Sequence, residues 1–356
     1  MSVVHVLLLL CCCVAVCVFV VWLLVACLSS DSSLFHFPSS SSSSLYIGTS
    51  FSPQKHRLQS LLEDMEDEAG YTTSILDSLG WIIKTYGVQF QQIYVEHLHT
   101  VARSLATSEL GHVSAAGICM LDDALEHCGS GTASVVVPDL LAFASRGMSS
   151  EEPMVRQASV YGIGLCARNG GAMFTTAMAA QVLPSLLAHI RHWRSDSVRT
   201  QEMEENENVD APTDCAISAL GSICLHRPEV ATQEVWCEWL SFLPLDSAMG
   251  DRLEGMDVHK MLLLQTMSNN TLLVGTSNER LPQIMTILAR AARGIPLENM
   301  LASANYDEGD DVALMHDSDL IKLGELVAKI VTSGGGQMLA SLSPTDQQTL
   351  SGLKPK

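Results

Sequence analysis

From Thr72 onward the apolar residues of this chain recur with the period of an α-helix. Ile75, Leu76, Leu79, Ile82 and Ile83 fall at i, i+1, i+4, i+7 and i+8. That spacing puts them on one helical face, and Gly87 supplies a stop. Val88 to Leu105 repeats the pattern with Ile93, Val95, Leu98, Val101, Ala102 and Leu105. His112 to Cys128 closes at Gly129, and Val155 to Arg168 closes at Asn169, Gly170 and Gly171. Val135 to Ser145 and Met173 to Trp193 fill the gaps, the latter with a stripe of Val182, Leu183, Leu186, Leu187 and Ile190. Pro138 and Pro184 are expected at helix starts or kinks. A polar, acidic loop from Ser195 to Asp210 breaks the pattern. Pairs resume at Thr213 to Leu225 and Gln233 to Leu243, then continue less regularly to Leu353.

The stops at Gly87, Gly129 and Gly170 lie 42 and 41 residues apart. A period of about 40 to 47 with two helices per unit is the mark of HEAT or armadillo repeats. One pair cannot bury its own apolar face, so stacked neighbours must supply the core. The expected fold is all-α over residues 63–356, a HEAT-type α-solenoid: a superhelical stack of antiparallel helix pairs.

The first 62 residues do not share this pattern. Val6 to Leu28 is a run of 23 uncharged residues. As a helix it would be roughly 35 Å long, enough to cross a hydrocarbon core of about 30 Å. Residues 1–28 lack Lys and Arg before the run, which suits a signal anchor better than a cleaved signal. A stretch that is not natural coding sequence is the third reading. Residues 29–62 are Ser-rich and then acidic, and are expected to be a disordered linker.

The chain of 356 residues has 39 acidic against 20 basic side chains, a formal charge of −19. That balance disfavours direct nucleic-acid binding, which needs clustered cations, and suits a basic partner. The carboxylates cluster at Glu63, Asp64, Glu66, Asp67 and Glu68; at Glu202, Glu204, Glu205, Glu207 and Asp210; and at Asp307, Glu308, Asp310 and Asp311. The last two groups are the candidate surface for Lys/Arg-rich cargo. Cys119, Cys128, Cys166, Cys215, Cys224 and Cys237 have no metal-site spacing and are expected as small core residues in a reducing compartment. Gly162-Ile-Gly164 lacks the third glycine of a dinucleotide loop, and Ser333 to Gly336 lacks the lysine of a phosphate loop. No catalytic constellation, cofactor site or metal site is expected.

Several stretches go beyond generic helical repeats. GICMLDDALEHCG (Gly117 to Gly129) and PMVRQASVYGIGL (Pro153 to Leu165) resemble repeats of the importin-beta family, in its importin beta-3 branch. So do WLSFLPL (Trp239 to Leu245), LPQIMTIL (Leu281 to Leu288), TSGGGQ (Thr332 to Gln337) and LSPTDQQ (Leu342 to Gln348), in the same order. The resemblance implies the C-terminal HEAT region of a non-enzymatic nuclear-transport receptor, working in cytoplasm and nucleus. Its implied partners are Ran GTPase, nucleoporins and basic cargo such as nuclear localisation signals, histones or ribosomal proteins. Family members are several times longer, and their main Ran contacts lie in N-terminal repeats that have no counterpart here. A fragment, a truncated copy or an upstream extension of the reading frame would account for that. The alternative is a membrane-anchored helical adaptor held by residues 6–28, with its solenoid in the cytosol. Within the repeats, Arg156 is expected to bridge to Asp122 or Asp123 as a ladder between units. Trp239, Phe242 and Leu245 are expected to lock one repeat onto the next.

Overall fold

The computed structural model describes Leu76, residues 78–195, Val198, and residues 210–247, 250–295 and 313–353. The apolar run, the Ser-rich linker and all the acidic candidates except Asp210 lie outside these residues. Among the described residues the regular structure is entirely helical, with no strand. No helix among them is long and apolar enough to cross a membrane.

Helix α1 covers residues 78–86. After Gly87 the chain makes a 3₁₀ turn (Gly87–Phe90), a short α segment (Gln91–Ile93) and a π turn (Tyr94–Leu98) before α2 (His99–Ala106). There follow α3 (Gly111–His127), α4 (Ala133–Gly147), α5 (Pro153–Asn169) and α6 (Thr176–Trp193). Next come α7 (Ala211–His226), α8 (Gln233–Ser241), α9 (Arg252–Met267), the short α10 (Thr271–Val274) and α11 (Leu281–Arg293). The chain ends in α12 (Asp317–Thr332), α13 (Gly336–Ala340) and α14 (Pro344–Gly352).

The sequence punctuation explains these bounds. Thr175, Thr232, Asp251 and Ser343 each cap a helix by accepting the backbone N–H three residues on, and Pro153, Pro212, Leu281-Pro282 and Pro344 open helices where no N–H is needed. Gly87, Gly129 and Gly171 take positive φ of 51°, 85° and 53°, a region that favours glycine. The third left-handed stop is thus Gly171, not Gly170, and the stops stand 42 residues apart throughout. Pro138 and Pro184 lie inside α4 and α6 rather than at their starts.

The helices form two rows. In the second row, α3, α5, α7, α9 and α12 pack one on the next. Small residues bring these helices close: a Cβ on Gly164 of α5 would sit 3.2 Å from the Ala219 Cα of α7. Helix α7 is the centre of the stack, with every residue from Ala211 to Cys224 buried. That is why its sequence shows no polar face. The first row, α2, α4, α6, α8 and α11, is joined mainly by long side chains. Arg146 at the end of α4 donates to the Ala106 carbonyl (2.9 Å), and His189 bonds the Met148 carbonyl (2.9 Å). Arg194 donates to the Phe242 carbonyl (2.7 Å), and Arg290 pairs with Asp246 (2.5 Å). The sequence separations of these four links, 40, 41, 48 and 44, carry the repeat period into the hydrogen-bond pattern. Between the rows the tightest pairings are α2 with α3 and α4 with α5, one helix out of phase with a unit that starts at each Gly-terminated helix.

Four of the six body cysteines are buried as expected of small core residues; Cys119 is exposed and Cys237 half-buried, and none of the six is in a disulfide.

Candidate functional site

The second row carries a groove of about 860 Å³. Its walls come from Leu76, α1 (Gly80, Trp81, Lys84), α3 (His112 to Asp123), α5 (Met154 to Tyr161) and the start of α9 (Leu253 to Asp257), with Cys215, Asp251 and His316 completing the lining. Helix α1 comes close to α3: a Cβ on Gly80 would meet the Asp123 carboxylate at 2.7 Å.

Two features set this groove apart from an ordinary seam between helices. Three large apolar side chains around it are open to solvent, Trp81 at 68%, Met154 at 63% and Leu253 at 73%. Scattered apolar residues on a surface need no explanation, but three around one concavity form a patch of the kind partners cover. The groove is also acidic, holding Asp123, Asp251, Glu254 and Asp257 against a single lysine, Lys84, whose ammonium stands 5.5 Å from the Trp81 ring.

Glu254 is the distinctive carboxylate. It lies in the first turn of α9, is 8% exposed, and its Oε2 is buried with no hydrogen-bond partner. Burial raises its carboxyl above the ordinary range, against smaller opposing effects of the Ser218 hydroxyl and the Arg168 guanidinium. Asp251 holds the loop in place: its Oδ1 accepts the Glu254 N–H (3.1 Å) and its Oδ2 accepts from Gln157 Nε2 (3.1 Å). Burial likewise raises Asp123, with the Glu126 charge adding and His127 and Lys84 opposing.

The residues singled out in the sequence are distributed differently. Asp210 is half-buried at the start of α7 and bonded to the Ser247 hydroxyl (2.5 Å). Glu202, Glu204, Glu205, Glu207, Asp307, Glu308, Asp310 and Asp311 lie outside the described residues. Arg156 is buried, but its guanidinium donates to the carbonyls of Ser150 and Glu151 (2.9 Å each) and stacks on Trp193 at 3.8 Å. Asp122 is fully enclosed with neither oxygen hydrogen-bonded, so the two do not form the expected bridge. The planar guanidinium lies on the indole of α6 and caps the turn before α5. Asp123 lines the groove instead. Trp239 is buried, donates its indole N–H to the Ile217 carbonyl (3.0 Å) and meets Trp236 edge-on at 5.5 Å, which ties α8 to α7. Leu245 is buried and its N–H bonds His259 of α9 (3.3 Å), while the half-buried Phe242 gives its carbonyl to Arg194. Among the described residues no group of His, Cys, Asp and Glu is arranged to hold a metal.

Trp81, Met154, Leu253 and Glu254 were not singled out by the sequence.

No family model matches the chain. A curated protein described as a probable importin-5 homolog, from Dictyostelium discoideum, is 25% identical over 196 residues. The match covers 51% of this chain and only 18% of that relative's length. It bears out the resemblance to the importin-beta family drawn from the repeat motifs.

Proposed function

We propose that this chain is the C-terminal, HEAT-type solenoid part of an importin-beta-like receptor, a non-enzymatic scaffold that binds basic protein cargo through acidic surfaces in transport between cytoplasm and nucleus. The observation that carries the proposal is the 42-residue spacing of left-handed glycine stops, read together with the match to the importin-5 homolog. The two rows support a curved stack. The second row packs on glycine and alanine, whereas the first is spread by long arginine and histidine links, so we place the second row on the inner, concave side. The groove and its carboxylates lie on that side. Basic cargo meets it together with the acidic stretches of residues 202–210 and 307–311. Ran-GTP and nucleoporins are partners of the whole receptor, and this stretch alone is not expected to hold Ran tightly.

A fluorescent polybasic peptide tests the proposal by anisotropy against the full chain. Binding should weaken by more than about tenfold between roughly 0.05 M and 0.3 M salt, because exposed charges are screened within a Debye length of about 10 Å. Absence of binding, or binding indifferent to salt, would overturn it.

A further inference from the structure

We propose that the groove between α1, α3, α5 and α9 seats an amphipathic segment of a partner protein, one that presents a single Lys or Arg beside bulky apolar side chains. This goes beyond capture of polybasic cargo and rests on the reading of the chain as a docking scaffold. The occupant follows from what the walls offer. Trp81, Met154 and Leu253 stand exposed around the concavity and lose solvent only when something apolar fills it. Glu254 lies among them with Oε2 buried and unbonded, so that this oxygen has lost water without gaining a donor, whatever the Ser218 hydroxyl gives the rest of the carboxyl. Such a group is completed by one ammonium or guanidinium brought in on an apolar stem.

A run of cations fits less well. Lys84 lines the groove and repels a run of cations more than a single one, and the apolar patch gives the run nothing to bury. A second copy of this chain is disfavoured too, since its 39 acidic residues outnumber its 20 basic ones and would bring carboxylates to carboxylates.

The test uses the full chain and three labelled synthetic peptides of about 15 residues, long enough to form a helix. One carries a Leu/Met face with a single Lys, the second has norleucine in place of that Lys, and the third is oligolysine. The single-Lys peptide should bind saturably and shield Cys119, which lines the groove, from alkylation. Glu254→Gln and Leu253→Ser should each weaken it by about tenfold, and the norleucine peptide should bind about tenfold more weakly and be blind to Glu254→Gln. Glu254→Gln keeps the shape of the side chain, and an unchanged thermal midpoint establishes that the variant is folded. Three results would overturn the proposal: failure of the single-Lys peptide to bind, indifference of its binding to Glu254→Gln, or dimerisation of the chain that Leu253→Ser abolishes. If oligolysine binds while the single-Lys peptide does not, the groove proposal falls and the transport reading stands. If neither binds, both fall.

Discussion

Replacing Gly117 by alanine should loosen the N-terminal end of the stack, because α2 crosses α3 with no room for a methyl group. A Cβ at Gly117 would sit 2.2 Å from the Ala106 backbone nitrogen and 2.7 Å from both the carbonyl carbon and the Cβ of Leu105. The nearest atoms are backbone, so no rotamer change relieves the clash. The helices must part by about 1 Å, and a gap of that size forfeits a quarter to a half of the attraction of each atom pair it opens. Val101, Ala102, Leu105 and Ala106 of α2 are all buried at this crossing. The end of α2 is further fixed by the Ser114 hydroxyl (3.0 Å) and by Arg146 (2.9 Å), both donating to the Ala106 carbonyl. Overpacking of this kind costs about 1–3 kcal/mol, while alanine in a helix gains about 1 kcal/mol over glycine. Because the nearest atoms are backbone, the cost falls in the upper half of that range, and a net loss of about 1–2 kcal/mol is expected. Gly352 of α14 is the control, since a Cβ there meets nothing within 4 Å. Gly352→Ala should be neutral or stabilise by up to about 1 kcal/mol. A stack of this kind opens locally, so hydrogen exchange is the suitable assay. Protection should fall about tenfold in α2 and α3 of Gly117→Ala and stay unchanged in α11 to α14. Unchanged or increased protection in α2 and α3 would refute the crossing geometry.

Arg227 donates to the carbonyls of Phe174 (2.7 Å), Gly171 (2.5 Å) and His226 (2.5 Å) and lies 5.3 Å from the Phe174 ring. Arg227→Ala should therefore lower stability by about 2 kcal/mol, read as a shift in the urea midpoint. Burial pushes the Asp214 carboxyl up to about 8, so the folded state holds a proton that the unfolded state has released. That contribution is lost as pH rises towards 8. Burial lowers His189 and His259 to about 4, so theirs is present above about 6.5 and lost as pH falls towards 4. Between pH 6.5 and 8 only the aspartate acts among these three, and Asp214→Asn should flatten the fall in thermal midpoint over that window. Native-state alkylation followed by peptide mapping should modify the exposed Cys119 well before the enclosed Cys166 and Cys224, and equal rates would contradict the packing of α5 and α7.

The repeat was legible in the sequence because glycine stops and apolar periodicity are local properties. Gly87 and Gly129 need nothing beyond their own backbone to end a helix, and the 42-residue step follows. The groove was not legible, because its walls lie far apart along the chain and only stacking brings Trp81, Met154 and Leu253 to one concavity. Helical period marks a residue as facing in or out, but does not say which outward residues share a hollow. Arg156 shows the same limit. Flanked by Val155 and Ala158, it reads as a buried ladder cation, and it is indeed buried. Its partners, though, were chosen by the turn of Ser150 and Glu151 and by an indole 37 positions away, neither of which the local pattern signals.

The position of the carboxylates relative to water decides which of them can discriminate between partners. A loop glutamate in solvent attracts any cation, with an energy that salt removes, and so contributes rate and reach rather than selectivity. Glu254 differs because its desolvation has already been borne by the fold. A cation placed beside it meets little competition from water, and one placed even slightly wrong leaves the carboxylate unsatisfied. The same folding step that packs α9 against α7 therefore creates both the cost and the selectivity. This chain combines diffuse acidic charge with one enclosed carboxylate among exposed apolar side chains. Under the proposed function, the diffuse charge gathers basic proteins broadly and Glu254 holds those that also carry the matching amphipathic segment.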